Sequence, residues 1–231
     1  MKQQLVSPCP KRVPIFYSLS DLEIKKITDV VHHKLFKKGE MIIEEGDIST
    51  SLYIIHSGKV KLSKLTIQGK EQIVHLLTTG DFFGESNLFH DDMVMNLSCH
   101  ALEDTKICVL KKQDFDQIML SNPEISFKLL KTITKRLSHT EDLARTLATK
   151  DPEVRIADML LEFCEKFGTE HQNTVLITLP ITREEISSYV GLTRETISRK
   201  LAKLADKDIL TLIGNKQILI HNKGKLQSIG G

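Results

Sequence analysis

Short apolar runs separated by turn residues fill the first half of the chain. Between residues 36 and 110, stretches rich in Ile, Val and Leu alternate with glycines, mostly 7 to 12 residues apart, which is typical of an antiparallel barrel or roll. Polar and apolar residues alternate in Lys59–Leu65, predicting a strand with one buried and one wet face. Ser20 and Asp21 open an apolar run that predicts a short capped helix. The pattern therefore predicts an N-terminal arm and a β-roll domain over residues 1–121.

A long helix with a narrow apolar seam follows at Pro123. Its apolar or small residues recur at alternating spacings of three and four, the a and d positions of a coiled coil. The seam positions are Leu130, Ile133, Leu137, Thr140, Ala144 and Leu147. Because a helix that covers its own core usually shows a broader stripe, the pattern favours a homodimer seam in a dimerisation helix over residues 122–150, and packing on its own domain is the alternative. Asp151 and Pro152 then end the helix and predict a hinge.

Two short helices joined by a glycine turn are predicted in the last third of the chain. Residues 182–185 have the T-x-x-E form of a capping box and so mark a helix start. Gly191 permits a tight turn, and Thr193 provides a cap for the second helix. A hairpin around Gly214 follows in the position of a wing. Residues 151–231 are therefore predicted to form a winged helix-turn-helix domain.

The second of these helices has a polar side and an apolar side. At about 100° per residue, the apolar residues Ile197, Leu201 and Leu204 lie opposite a polar group. That group consists of Arg194, Glu195, Ser198 and Arg199. In a major groove Arg donates two hydrogen bonds to guanine and Glu accepts from cytosine, so these four are predicted to read bases. Phosphate contacts, which position without specifying, are predicted for Thr182, Thr193, Lys200, Lys203 and Lys216. An ordinary amphipathic surface helix is the alternative.

Composition fits two domains and adds little else. The chain has 231 residues, 40% of them hydrophobic, and a formal net charge of +2. Residues 183–226 hold nine Lys and Arg against five Asp and Glu, so positive charge gathers where nucleic acid would bind. Without a membrane-length apolar stretch or a signal peptide, a cytoplasmic protein with no membrane partner is expected. No nucleophile–base constellation or metal motif is found, so no enzyme, catalytic residue or metal site is predicted.

Two motifs resemble the CRP/FNR family of bacterial regulators: GDFFGE at residues 80–85 and LTRETISR at residues 192–199. The similarity runs from about residue 20 to residue 226. It implies an α+β protein with an N-terminal cyclic-nucleotide-binding-like β-roll, a long dimerisation helix and a C-terminal winged helix-turn-helix. It also implies a homodimeric transcription regulator that binds an inverted repeat in double-stranded DNA, with half-sites like TTGAT or TGTGA, and meets RNA polymerase if it is an activator.

The resemblance is less specific about the signal. Cyclic-AMP-binding members carry an Arg-Ser pair that meets the cyclic phosphate, where this chain has Met95 and Asn96. A phosphate buried without a cation is costly, so cyclic AMP is not expected as a cofactor. Gly84 and Glu85 are the candidate lining of an effector pocket, or simply a turn and its hydrogen-bonding side chain. A regulator controlled by another small molecule, and a cyclic-nucleotide-binding module without DNA function, remain alternatives.

The cysteines allow a further comparison within the family. FNR holds an iron–sulfur cluster with several arm cysteines and one in the roll, whereas this chain offers Cys9 in the arm and Cys108 at the roll position. Two of four ligands do not support a cluster. The pair is similar to that of FLP-type regulators, which implies a redox switch through an arm-to-roll disulfide. A buried, inert Cys108 beside an idle Cys9 is the alternative; Cys99 is another candidate partner, and Cys164 is expected to be structural.

Overall fold

The computed structural model describes residues 11, 13, 16–17, 19–89, 94–149, 151–172 and 174–230, without the side chains of 139, 142, 143 and 145–149. The predicted redox residue Cys9 and the side chain of the predicted seam residue Leu147 lie outside the described residues. The chain divides into two compact units, one formed by 1–65 and 73–138 and the other by 66–72 and 139–231. Within the described ranges, no helix has both the length and the apolar character needed to cross a membrane.

The first unit is built from eight strands and four helices among its described residues. In chain order these are α1 (Asp21–Val30), β1 (His32–Phe36), β2 (Met41–Ile43), β3 (Ser51–Ser57), β4 (Lys59–Leu65), β5 (Glu71–Thr78), β6 (Phe82–Phe83), α2 (Ser86–Phe89), β7 (Ser98–Ala101), β8 (Thr105–Lys111), α3 (Lys112–Ser121) and α4 (Pro123–Thr149), of which the first two residues of β5 and the end of α4 lie outside the unit. Ser20 caps α1 in a reciprocal capping box with Glu23, which confirms the predicted helix start. The strand at Lys59–Leu65 is also confirmed.

The strands form two four-stranded sheets, in the orders β1-β8-β3-β6 and β2-β7-β4-β5. The first sheet contributes to two apolar clusters, and the second sheet contributes to one of them. One cluster gathers Leu52, Ile54, Cys108 and Leu110 with residues of α1, α3 and α4; the other gathers Ile55, Val60, Leu62 and Ile107. Alternation along β3 explains the division, because neighbouring side chains of a strand point to opposite faces. The predicted β-roll is therefore confirmed.

The second unit contains α5 (Pro152–Phe167), β9 (Gly168–His171), β10 (Thr174–Thr178), α6 (Arg183–Val190), α7 (Arg194–Asp206), β11 (Leu210–Ile213), β12 (Gln217–Ile220) and α8 (Lys223–Gly230). Its sheet has the order β11-β12-β10-β9. The predicted break between two helices at Asp151 and Pro152 is present: Pro152 occupies the first turn of α5, and Asp151 also caps that helix. The sequence pattern did not predict strand β9, whose side chains are mostly exposed and whose backbone pairs with β10.

Candidate nucleic-acid interface

The turn between α6 and α7 has the local geometry that the sequence predicts. At the start of α6, the Thr182 N–H donates to Glu185 Oε2 at 2.9 Å and the Glu185 N–H donates to Thr182 Oγ1 at 3.2 Å. At its end, Gly191 has φ of 66°, a left-handed conformation, which glycine adopts without a Cβ clash. The predicted capping box and turn glycine are therefore confirmed.

Helix α5 supports this turn from behind. The Arg155 guanidinium donates to the carbonyls of Val190 at 3.5 Å and Gly191 at 3.4 Å, which receive no bond from within α6. The Tyr189 hydroxyl donates to Glu162 at 2.5 Å. Burial, followed by the nearby carboxylate, raises the pKa of Tyr189, so the phenol stays a neutral donor. These contacts hold the end of α6 on α5.

Helix α7 presents the predicted polar side outward. The Thr196 N–H donates to Thr193 Oγ1 at 3.3 Å, which confirms Thr193 as the cap. Ile197, Leu201 and Leu204 are buried, with at most 1% of their surface exposed. The four predicted base readers, Arg194, Glu195, Ser198 and Arg199, are all exposed. Within the described part of the chain these four side chains make no ion pair or hydrogen bond, so their donors and acceptors face solvent.

The five predicted phosphate contacts lie in three different settings. The hydroxyls of Thr182 and Thr193 already serve as helix caps. Lys216 is exposed at the tip of the β11–β12 hairpin, the position at which the wing of a winged helix would contact the DNA phosphate backbone. Lys200 and Lys203 pair with Glu153, with Nζ to Oε2 distances of 3.2 Å and 2.9 Å.

Glu153 was not singled out from the sequence. Hydrogen bonds from lysines, that of Lys203 first and then those of Lys200 and Lys207, lower its pKa to about 2, because they favour the charged carboxylate. Lys203, the partner with the shortest distance to Glu153, lies 50 residues further along the chain. No local pattern joins residues at that separation, so only the fold reveals the cluster.

The candidate effector residues of the first unit are engaged with its own side chains. Glu85 Oε1 accepts from Arg136 Nη1 of α4 at 2.5 Å. Arg136 also donates to the Phe82 carbonyl at 2.5 Å and lies over the Phe82 ring, 4.6 Å from its centroid. Gly84 has φ of 85°, and a Cβ there would meet the Ser51 carbonyl at 2.7 Å. The sequence did not predict the pairing of Arg136 with Glu85.

The position where cyclic-AMP-binding members carry arginine is apolar and buried in this chain. Met95 is 3% exposed, and its sulfur accepts from Asn87 Nδ2 at 3.2 Å. Asn96 is exposed. Neither side chain brings positive charge to this part of the roll.

The thiols differ in their surroundings. Cys108 is buried on β8 and is disulfide-bonded, and its Sγ lies 3.3 Å from His33 Nδ1 on the neighbouring strand. Cys99 and Cys164 are buried free thiols, and burial raises the pKa of each, which makes them poor nucleophiles. Among the described residues, no group of three or more His, Cys, Asp or Glu side chains is arranged to hold a metal ion.

The predicted seam residues of α4 are not equivalent. Leu130 and Leu137 are 61% and 57% exposed, and Thr140 and Ala144 are exposed as well. Ile133 packs partly against the core of its own unit, which is the alternative that the sequence left open for the helix. Phe127, one turn before Leu130, is 76% exposed and was missed, because the pattern was followed only from Leu130 onward.

A capped helix, a left-handed glycine turn, a second helix with an exposed polar side and an adjoining hairpin define a helix-turn-helix DNA-binding protein. Two family models match the chain: the cyclic nucleotide-binding domain over residues 33–122 and the Crp-like helix-turn-helix domain over residues 154–229. The chain belongs to the CRP/FNR family of transcription regulators.

Individual relatives cover nearly the whole chain. The CRP-like cAMP-activated global transcriptional regulator of Mycobacterium tuberculosis is 30% identical over 215 residues, 93% of this chain and 95% of that protein. The transcriptional regulator flp of Lacticaseibacillus casei is 31% identical over 214 residues, 93% and 94% of the two chains. The structure of FixK2 from Bradyrhizobium japonicum matches with a TM-score of 0.77 at 28% identity, covering 87% of this chain and 98% of that one.

Proposed function

We propose that this regulator binds DNA as a homodimer, with two copies of α7 reading successive major grooves of an inverted repeat about one DNA turn apart. The observation that carries the proposal is the exposed polar side of α7 opposite its buried anchors Ile197, Leu201 and Leu204. In the proposed division of labour, residues 1–121 sense, 122–150 dimerise and 151–231 bind DNA. Acting on DNA places the protein in the cytoplasm, with RNA polymerase as a partner if it activates.

A second copy of this chain is the proposed occupant of the apolar stripe on α4. Phe127, Leu130 and Leu137 are all more than half exposed and lie within about 80° of one another around the helix. Apolar side chains that repeat at coiled-coil spacing fit the same stripe on a second helix. Exposed Thr140 and Ala144 would allow close approach of the two helices.

The proposed base readers are tested by selecting a duplex from a random pool and then measuring discrimination against a scrambled duplex. Replacing Arg199 with Ala is expected to reduce discrimination by about 30-fold or more, because a bidentate arginine contact is worth about 1 to 3 kcal/mol and the homodimer loses two of them. Lys225→Ala is the matched control, since it removes the same charge from an exposed residue of α8. Unchanged discrimination in Arg199→Ala would overturn the assignment of α7 as the reading helix.

For the signal, we propose a thiol–disulfide change between Cys9 and Cys108. Support comes from the disulfide at Cys108 and from the free state of Cys99 and Cys164. The test is a DNA titration of reduced and oxidised protein, combined with mass analysis of unreduced peptides and with Cys164→Ser as the control. A Cys9–Cys108 linkage that changes affinity supports the switch; equal affinities with four free thiols after oxidation contradict it.

We also propose that cyclic AMP is not the effector, unlike in the cAMP-activated relative. Buried Met95 provides no cation for a phosphate, and Glu85 is already paired with Arg136. Calorimetry with cyclic AMP is expected to show no binding. Micromolar binding would restore the small-molecule alternative and assign the pocket to Gly84 and Glu85.

A further inference from the structure

One carboxylate gathers three lysines beside the reading helix. Glu153, in the first turn of α5, accepts from Lys203 at 2.9 Å and Lys200 at 3.2 Å through Oε2, and from Lys207 at 3.2 Å through Oε1. The Glu153 side chain is only 14% exposed, so its charge faces the lysines more than water. A carboxylate in this setting occupies the place that a phosphate oxygen would take among three ammonium groups.

Lys203 borders the side of α7 that carries the proposed base readers, and Lys207 directly follows the end of the helix. At about 100° per residue, Lys203 lies only about 40° around the helix from Arg199. A lysine next to a reader in a major groove is within reach of the flanking phosphates, because its four-carbon stem is long and flexible. The position of the lysines is therefore suited to phosphate contact, whereas their partner in the structure is Glu153.

The three lysines do not depend on Glu153 equally. Lys200 is 18% exposed and has a second carboxylate, that of Asp151, at 3.4 Å. Lys203 and Lys207 are 53% and 47% exposed, and within the described ranges Glu153 is their only carboxylate partner. Removing the charge of Glu153 would therefore free two lysines and leave Lys200 paired.

We propose that Glu153 is a counter-charge that keeps Lys203 and Lys207 from DNA phosphates and thereby sets the strength and salt dependence of the sequence-independent part of DNA binding. Each lysine that neutralises a phosphate releases a counterion and steepens the dependence of affinity on salt. With both lysines held, a larger share of the binding energy comes from the base readers. The inference rests on the proposed DNA-binding function.

The test compares Glu153→Gln with wild-type full-length protein on a scrambled duplex and on the selected one, between 50 and 200 mM salt. Two added phosphate contacts in each protomer, four in the homodimer, steepen the slope of log affinity against log salt by about 3.6, so the affinity lost over this range grows by about 150-fold. Glu165→Gln is the matched control: Glu165 is exposed on the same helix, and its slope is expected to equal that of wild type.

Adding Lys203→Gln to Glu153→Gln should remove about 1.8, half of the gained slope, because each protomer loses one contact. Glu153→Asp keeps the negative charge at the start of α5 but shortens the side chain, so its slope should lie between those of wild type and Glu153→Gln. This variant replaces Glu153→Gln in the test if the latter is poorly folded. Equal slopes in the folded Glu153 variants and Glu165→Gln overturn the proposal. Wild-type protein that is folded yet binds neither duplex overturns the DNA-binding function itself.

Discussion

The two units use their charged side chains in opposite ways. In the second unit, Arg194 and Arg199 are exposed on a helix that is fixed by buried apolar residues. In the first unit, Glu85 is paired with Arg136, and Cys108 is in a disulfide. The proposed base readers are thus preorganised and open, so contact with bases requires no internal contact of these side chains to break. The corresponding groups of the first unit already have internal partners, so a ligand or redox change that acts on them must break a contact.

The largest expected effect comes from removing an apolar anchor of the reading surface. Leu201 is fully buried, and Leu201→Ala should lower the free energy of unfolding of the second unit by about 2 to 5 kcal/mol, through lost burial and a cavity. Hydrogen exchange of the α6 and α7 amides reports this unit separately from the other. Affinity for the selected duplex should fall with it.

Leu212→Ala is the control for this comparison, because Leu212 is 36% exposed on β11 and its truncation should cost at most about 0.5 kcal/mol. If Leu201→Ala changed exchange no more than Leu212→Ala, the reading surface would not depend on its buried side. The comparison of the two units would then no longer hold for the second unit, whose helix α7 we expect to be held in place by buried apolar residues.

Local patterns account for much of the second unit. The caps at Thr182 and Thr193 and the turn at Gly191 depend on residues within a few positions of one another, so the sequence is sufficient to predict them. Strand β9 was missed because its stability comes from pairing with β10, and side-chain alternation there is too weak to indicate a strand. Glu153 was missed because its partners are distant in sequence.

The second largest expected effect comes from breaking the ion pair between Glu85 and Arg136 in the first unit. Arg136→Leu leaves Glu85 and the Phe82 carbonyl without the guanidinium, and we expect a loss of about 2 kcal/mol, below the figure for a fully buried pair because both side chains keep some solvent contact. Their exposed fractions are 19% for Arg136 and 14% for Glu85. Hydrogen exchange of the β6 and α4 amides measures the loss.

A double-mutant cycle isolates the pair from other roles of Arg136. Adding Glu85→Gln to Arg136→Leu should recover about 1 kcal/mol, since a neutral amide tolerates the site better than an unpaired charge. Lys37→Leu breaks the well-exposed pair with Asp104 and should change stability by less than about 0.5 kcal/mol. If the losses of unfolding free energy in the two single variants simply added in the double variant, the ion pair would not stabilise the first unit.

The sequence indicated fewer of the side-chain contacts in the first unit, for a physical reason. Glu85 and Arg136 are 51 residues apart, and Arg136 lies on a helix whose polar residues look alike in the sequence. Ile133 shows the same limit, because its spacing fits a dimer seam while its actual partner is partly the core of its own unit. Period alone does not distinguish two surfaces that both require an apolar stripe.

The smallest expected effect is the pH dependence of the ion pairs of Glu153. These pairs show that the second unit also contains internally paired charges. The pKa of Glu153 is about 2 in the folded protein against an ordinary value of 4.5. As pH falls below 4.5 the unfolded chain takes up this proton first, so the stabilisation is complete above pH 4.5 and is lost as pH falls toward 2. Because Lys203 and Lys207 are half exposed, the stabilisation is expected to be about 1 kcal/mol.

The measurement is the difference in unfolding free energy of the second unit between wild type and Glu153→Gln at pH 6 and at pH 3. The difference should fall by more than half at the lower pH, while the same difference for Glu165→Gln should stay near zero at both. A difference that did not change with pH would mean that the carboxylate is not held by the lysines in solution. Lys203 and Lys207 would then already be free for phosphates, and the steeper salt dependence expected for Glu153→Gln would lose its physical cause.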